Sequence, residues 1–261
     1  MGDSFGICAY CNAERPLRRS HSIPDAIFRS VKKRSRGQLA AISRSGPTIK
    51  RTQDSGAAYL LCEACEQGFN ERFDRKIVQA IRKLHRSANQ SGVIVGLSIS
   101  GDDLTRAVAS ILWRACLSAS EMYDALNLRV GDSYVLRSVF ESQDPLSECS
   151  LMASYVIDRH GVFSLKDLQS IISVPEPFSV NKPASEQFGI SVVLQGLHLF
   201  IIFPRVPPAK RRIVGYVRRN TNSVSVRGLD WRDFPPLRAT MHAAMKGALD
   251  ERDKRVGNGS R

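Results

Sequence analysis

The chain has 261 residues, of which 43% are hydrophobic, which is enough for one large or two modest domains with a real core. Its 38 Lys and Arg residues against 25 Asp and Glu leave a net charge of +13, which attracts polyanions. Nucleic acid is the leading partner class, with acidic membranes or proteins as alternatives, and of the nucleic acids we expect DNA rather than RNA. No segment approaches the roughly eighteen consecutive apolar residues of a membrane helix, and the start lacks the pattern of a signal peptide, so we expect a cytoplasmic protein that does not contact the membrane.

Four of the six cysteines form two Cys-x-x-Cys pairs, Cys8 with Cys11 and Cys62 with Cys65. In a reducing compartment such thiols bind metals or stay buried rather than form disulfides. Four thiolates match the tetrahedral site that zinc prefers, and zinc binding contributes about 10 to 16 kcal/mol in small peptides. A redox dithiol of the thioredoxin type is the alternative, but it uses one pair and leaves the second unexplained. We therefore predict one structural zinc ion bound by all four cysteines.

Positive charge is concentrated between the two pairs. Residues 1–60 hold eleven Lys or Arg against four Asp or Glu, and the densest block consists of Lys32, Lys33, Arg34 and Arg36. Such a run is usually a solvated loop, but a position next to a zinc site favours contact with a phosphate backbone. We assign these four residues as candidate nucleic-acid-binding residues.

Two helices are predicted next. From Glu66 to about Gln90, apolar residues recur at helical spacing, namely Phe69, Phe73, Ile77, Ile81 and Leu84. A short strand is predicted within Val93 to Ser100, and a second helix from Asp102 to about Leu128. Within that helix we interpret Trp113 and Cys116 as core residues.

Strands are predicted after residue 130, at residues 151–157 and at residues 190–203 with a break at Gln195-Gly196. A hairpin around Asn220 is predicted, formed by residues 213–218 and 223–227. A final helix is predicted over residues 236–252. Arg218 and Arg219 would contact phosphate or form a solvated turn. The predicted organisation is α+β, with a zinc-binding module at 1–92 and an α+β domain with an antiparallel sheet at 93–261.

His21 lies between the cysteine pairs in Arg19-Ser20-His21-Ser22-Ile23-Pro24, and Glu66 directly follows the second pair. This order resembles the zinc-bearing HNH, or ββα-metal, endonucleases, in which a Cys-x-x-Cys precedes a strand ending in a His-Ile-x-Pro-like motif and a second pair opens a helix. The resemblance covers residues 7 to about 75 and implies a treble-clef module. A weaker similarity, to uncharacterised bacterial proteins, adds Gln53-Asp54 and Trp113-Arg114.

The resemblance implies roles for particular residues. His21 matches the family's general base, and Glu66 stands where many members place a metal-binding Asn. Asn70 is a further candidate ligand for a catalytic magnesium or manganese ion, with Glu71 and Asp74 also within reach along the helix. Ser20 departs from the family, because many members place a metal-binding Asp there. Phosphodiester hydrolysis needs such a base and such a cation.

Each of these residues has a structural interpretation as well. His21 would pack on the zinc turn and bond a backbone carbonyl, Glu66 would be a helix-start carboxylate, and Asp54 is interpreted as a turn residue. Two functions follow: a metal-dependent endonuclease, in an arrangement common in bacterial defence systems, or a non-catalytic zinc module that binds nucleic acid or protein.

Overall fold

The computed structural model describes residues 4–34, 39–42, 49–52, 54–89, 92–124, 126, 130–179, 188–212, 215–234, 237–238, 241–242 and 245–246. These residues form a mixed α+β fold. Its strands are β1 Ser4–Ile7, β2 Glu14–His21, β3 Leu39–Ile42, β4 Ile49–Thr52, β5 Ala57–Cys62, β6 Val95–Leu97, β7 Ser150–Ile157, β8 Glu176–Ser179, β9 Phe188–Leu194, β10 Leu197–Phe203 and β11 Val224–Asp230. Its helices are α1 Asp25–Arg34, α2 Glu63–Phe69, α3 Arg75–Ser87, α4 Gly101–Leu117, α5 Val130–Glu141 and α6 Leu165–Leu168.

A small antiparallel sheet positions both cysteine pairs. Within the described residues its strand order is β1-β2-β5. The register places Leu17 of β2 opposite Cys62 of β5, and the Ala9 amide donates to the Leu60 carbonyl at 3.0 Å. Because β1 leads into the first pair and β5 ends at the second, the sheet brings the two pairs together.

The helix predicted after the second pair is confirmed, but it begins at Glu63 instead of Glu66. A π-helical segment, Asn70–Asp74, joins α2 to α3. Its i→i+5 bonding adds one residue to the turn and rotates the following side chains around the axis. The predicted apolar face is buried, with each of these side chains at most 3% exposed: Phe69, Phe73, Ile77, Ile81 and Leu84.

The second predicted helix is shorter than expected. α4 ends at Leu117, where Ser118 takes an extended conformation, and Ser120 caps a 3-10 turn at Glu121–Tyr123. Val130–Glu141 forms helix α5, which was not predicted from the sequence, since the strands expected after residue 130 begin at 151. The helical spacing of buried Leu136, Val139 and Phe140 accounts for α5.

A larger sheet has the order β6-β11-β7-β10-β9-β8 within the described residues. β11 runs parallel to β7 while the other pairs are antiparallel, so this sheet is mixed and differs from the antiparallel sheet expected from sequence. The predicted strands at 151–157 and on both sides of Gln195-Gly196 are confirmed as β7, β9 and β10.

The hairpin predicted around Asn220 is wrong, although Asn220 does form a turn with φ of 52°. Tyr216 bridges Met152, while Arg227 of β11 pairs with Ser154 of β7. The two segments therefore follow each other along one edge of β7 instead of pairing together.

For the final helix, residues 237–238, 241–242 and 245–246 are helical, and the rest of the predicted segment lies outside the described residues.

The buried core continues across residue 92, the predicted boundary between two domains. Ile81 and Leu84 of α3 belong to the same apolar cluster as Val108 and Leu112 of α4. The division into two domains stays a prediction.

Among the described helices, none has the length and apolar character needed to span a membrane.

Candidate metal centre and adjoining cleft

The sulfur atoms of Cys8, Cys11, Cys62 and Cys65 converge, as predicted. All four lie within 4.8 Å of one another, and those of Cys11 and Cys62 are 3.9 Å apart. A tetrahedral zinc ion with bonds of about 2.3 Å separates its sulfurs by about 3.8 Å. The cluster therefore has the ligand type, number and spacing of a four-thiolate metal site.

The first pair occupies a tight turn between β1 and β2. The Asn12 amide donates to the Cys8 carbonyl at 2.9 Å, and Asn12 has a φ of 57°, a conformation that asparagine tolerates better than most residues. The second pair is supplied differently, because Cys62 ends β5 and Cys65 lies in the first turn of α2. A hairpin turn and a helix start thus each supply two ligands.

Two of the thiols, those of Cys8 and Cys65, differ in how readily they ionise, because hydrogen bonds and burial shift their pKa values in opposite directions. Burial opposes ionisation of Cys8, but amides around it, including that of Cys62 at 3.3 Å, lower the pKa of Cys8 to about 7. Burial raises the pKa of Cys65, and hydrogen bonds to the neighbouring thiols raise it further. Four adjacent thiolates repel one another, so a bound cation is the natural means of ionising all four.

A cleft of about 350 Å³ opens beside the cluster, between α1 and the long helix that follows the second pair. It brings together the three candidate residues His21, Glu66 and Asn70. Its other lining residues are Pro24, Asp25, Ala26, Arg29, Gln67, Asp74, Arg75, Val78, Gln79 and Arg82.

His21 ends β2 at the mouth of this cleft, and its side chain is 24% exposed. Its Nε2 lies 3.0 Å from the Ser55 hydroxyl and 3.7 Å from Asp25 Oδ1. Burial lowers the pKa of His21, and the charges of Arg19, Arg114 and Lys32 lower it further, against the opposing effect of Asp25. A neutral imidazole is therefore favoured near neutral pH, which is the form that accepts a proton.

Glu66 is half-buried in the first turns of α2, and its Oε2 is shielded from solvent without a hydrogen-bond partner in the described chain. Burial raises the pKa of Glu66, while Ser20 and Arg114 lower it and Asp74 raises it. Desolvation of a carboxylate oxygen without a partner is costly, so this position favours a cation. Ser20, the residue that departs from the HNH pattern, is itself buried and only 2% exposed.

Asn70 and Asp74 are one helical turn apart, at the two ends of the π-helical segment, and both line the cleft. Asn70 is exposed. Asp74 is 8% exposed, and both of its oxygens accept from Arg114, at 2.6 and 3.0 Å. This ion pair occupies Asp74 and leaves Asn70 as the better placed second ligand. The sequence interpretation named Arg114 only within the weaker similarity and missed its pairing with Asp74, although a cation within the apolar stripe of α4 signals a buried acidic partner.

Three of the four residues of the predicted basic block lie in a helix. Lys32, Lys33 and Arg34 form the last turn of α1, while Arg36 lies outside the described residues. Because the Lys32 charge acts on His21, this turn lies near the cleft. That these residues bind nucleic acid stays a prediction.

Sequence reasoning missed the cations that line the cleft itself, Arg29, Arg75 and Arg82. Arg75 and Arg82 are seven residues apart on α3, and this two-turn spacing is the signal that places them on one face. Arg29 pairs with Asp25 at 3.0 Å.

Asp54 is confirmed as a turn residue, because its Oδ1 accepts from the Gly56 amide at 2.9 Å.

In comparisons with protein-family models, with curated proteins and with solved structures, nothing matches this chain.

Proposed function

We propose that the chain is a metal-dependent endonuclease of the HNH type, which hydrolyses phosphodiester bonds of nucleic acid, DNA in preference to RNA. The observation that carries this proposal is the cleft that His21, Glu66 and Asn70 line together, beside four converging cysteine sulfurs. A base and hard metal ligands facing one solvent-accessible space are the components that metal-assisted hydrolysis requires.

In this proposal the four cysteines hold a structural zinc ion in a treble-clef scaffold. Zinc fixes the turn after β1 against the start of α2, and β2 and α2 in turn carry His21 and Glu66. The arrangement supports zinc over harder metals because thiolate is a soft ligand. The ion therefore acts on the reaction only by holding these two elements together.

His21 acts as the general base. Its neutral ring takes a proton from the attacking water, and the resulting imidazolium is stabilised by Asp25, whose Oδ1 lies 3.7 Å from Nε2. The Ser55 hydroxyl, at 3.0 Å from the same nitrogen, orients the ring.

Glu66 and Asn70 are the residues that would hold a magnesium or manganese ion, since carboxylate and amide oxygens suit both metals. The shielded, unpartnered Oε2 of Glu66 is the specific feature that fits a cation. When bound, the ion neutralises charge on the scissile phosphate and on the leaving oxygen.

Substrate binding falls to the cations around the cleft. Arg75 and Arg82 are exposed on α3 and line the cleft. The last turn of α1 adds Lys32, whose charge acts on His21, and its neighbour Lys33. Arginines lining the reactive cleft suit a phosphate backbone better than an uncharged substrate, because they neutralise its charge and fix its position.

The test is cleavage of supercoiled plasmid, single-stranded DNA and RNA by the full chain with magnesium or manganese, with EDTA as the blank. We expect His21→Ala to abolish cleavage while the chain keeps its zinc. His160→Ala is the matched control, since His160 is an exposed loop residue remote in sequence from the cleft. Glu66→Gln should raise the metal concentration needed for half-maximal rate. Intact substrate with both metals, or equal rates for wild type and His21→Ala, contradicts an endonuclease.

One observation favours a second function, a non-catalytic zinc module that binds nucleic acid. Ser20 replaces the carboxylate expected beside the histidine, and its hydroxyl lies close enough to Glu66 to lower the pKa of that carboxyl. Retarded migration of nucleic acid without cleavage, lost in Arg75→Gln and unchanged in His21→Ala, would support this function instead.

A further inference from the structure

Three arginines in the C-terminal part of the chain, outside the cleft, lie within electrostatic range, because the charges of Arg211 and Arg219 both act on Arg205. Arg205 follows the end of β10, Arg211 lies in a 3-10 turn at Pro208–Arg212, and Arg219 lies in the turn before β11. All three are partly buried. The segment around Asp144 lies against them, because Asp144 Oδ2 is 2.9 Å from Arg219 Nη2. We call these three residues the arginine cluster.

The arginine cluster has donors without acceptors. The Nε atoms of Arg205, Arg211 and Arg219 are each shielded from solvent, and none has a hydrogen-bond partner in the part of the chain that the structure describes. Arg205 and Arg211 also form no ion pair with a described carboxylate. A shielded guanidinium N–H without an acceptor is unfavourable, and three such donors on neighbouring segments call for an acceptor from outside the described chain.

Their charges are also close enough to repel. Burial lowers the pKa of Arg205, and the charges of Arg211 and Arg219 lower it further, while Asp144 opposes this effect. Three positive charges and one negative charge leave two uncompensated positive charges among these four residues. Partial burial makes this repulsion stronger than at a fully solvated surface.

We propose that the arginine cluster binds a phosphomonoester dianion. Such a group carries close to two negative charges and three acceptor oxygens, which matches the excess charge and the three shielded Nε donors. Planar guanidinium groups bind phosphate oxygens through paired, charge-assisted hydrogen bonds. A phosphodiester carries a single charge and would leave one cation uncompensated. The exposed Lys210, one residue before Arg211, adds to the positive field that attracts the anion.

This site is independent of the proposed endonuclease, since it shares no residue with the cleft. Its partner is a small phosphorylated molecule or the phosphorylated end of a nucleic acid, both of which present the same group. A bound phosphomonoester would tie together the turn after β10 and the turn before β11, and would stabilise the fold around them.

The first experiment uses inorganic phosphate as the probe, with the full chain at about pH 8, where phosphate is mostly a dianion. Thermal unfolding and calorimetric titration are compared with sodium chloride at matched ionic strength. We expect phosphate to raise the midpoint of wild type, and Arg211→Gln and Arg219→Gln each to weaken binding by about tenfold or more. Arg212→Gln is the matched control, because it removes the same charge from an exposed neighbour, and we expect a change of less than about twofold.

Two results would overturn the proposal: no phosphate-specific stabilisation of the folded wild type, or equal weakening by Arg211→Gln and Arg212→Gln. The first result is read from wild type alone, and if Arg211→Gln fails to fold, the second comparison is made with Arg219→Gln. A second arm compares AMP, a 5′-phosphorylated oligonucleotide and its 5′-hydroxyl counterpart. Tighter binding of AMP assigns the site to a free nucleotide, and tighter binding of the 5′-phosphorylated strand assigns it to a nucleic-acid end. Equal binding of the two oligonucleotides together with no binding of AMP would also refute a monoester site.

Discussion

The guanidinium of Arg114 binds both carboxylate oxygens of Asp74, at 2.6 and 3.0 Å, and the same group donates to the backbone carbonyl of His21 at 3.0 Å. Arg114 is fully buried in α4. One side chain thus links the last residue of β2 to the helix that carries Asn70. This link holds the two walls of the cleft at a defined separation.

Replacing Arg114 by Met should therefore destabilise the chain strongly. It leaves Asp74 buried without its cation, a change that typically costs about 3 to 5 kcal/mol. The measurement is urea unfolding of the zinc-loaded chain. The double variant Arg114→Met with Asp74→Leu should recover a large part of that loss, because no buried charge remains unpaired. A loss below about 1 kcal/mol in Arg114→Met would mean that the pair contributes little.

Replacing Cys62 by Ser should remove the metal and unfold the N-terminal segment. Three thiolates and a hydroxyl bind zinc far more weakly than four thiolates, and the ion would no longer link β5 to the turn after β1. Metal content by mass spectrometry and the absorption spectrum of the cobalt-substituted chain measure this directly. We expect one metal ion per wild-type chain. Cys116→Ser is the control, since Cys116 lies outside the cluster and should leave the metal content unchanged. Full metal occupancy in Cys62→Ser would contradict the four-thiolate site.

Replacing Gly101 by Ala should also destabilise the fold. A Cβ atom at Gly101 would lie 2.2 Å from the backbone oxygen of Arg218 and 2.9 Å from Val217 Cγ1. Backbone atoms must then move, at a cost of about 1 to 3 kcal/mol. At Gly96 an added Cβ has no atom of the described chain within 4 Å, so Gly96→Ala should change the free energy of unfolding by less than about 0.5 kcal/mol. Equal effects of the two substitutions in thermal unfolding would refute the close approach at Gly101.

His198 should make stability depend on pH. It is 5% exposed, its Nδ1 lies 3.2 Å from Ser154 Oγ, and its Nε2 lies 3.0 Å from Ser191 Oγ. Burial lowers the pKa of His198 to about 4. Because the unfolded ring has a pKa of about 6.5, the unfolded state binds a proton in the range where the folded state does not. This contribution is complete above about pH 6.5 and is lost as the pH falls toward 4, by about 2 kcal/mol at pH 5.

Urea unfolding at about pH 7.5 and pH 5 measures this loss. His198→Gln keeps hydrogen-bonding atoms near both serines but cannot titrate, so its stability should fall by about 2 kcal/mol less than that of wild type over the same interval. Loss at low pH of a metal ion held by the four cysteines would affect both chains alike and cancel in the comparison. The same pH dependence in both chains would show that His198 is not the group responsible.

The amino-acid sequence determined the features that depend on residue type and short spacing. Two Cys-x-x-Cys pairs predicted a common metal site because the ligand chemistry of thiolates is specific, and the four sulfurs do converge. The helix after Cys62 and strands β7, β9 and β10 were predictable because apolar periodicity records which face is buried. His21 and Glu66 were singled out by their order around the cysteines, and both line the cleft.

Only the tertiary structure decided which distant residues meet. The Arg114–Asp74 pair joins residues forty positions apart, and the arginine cluster gathers three loops. The parallel pairing of β11 with β7 displaced the local hairpin expected around Asn220, since pairing along a buried strand outweighs the preference of a turn. Such choices depend on the packing of the whole core, and a local pattern does not contain that information.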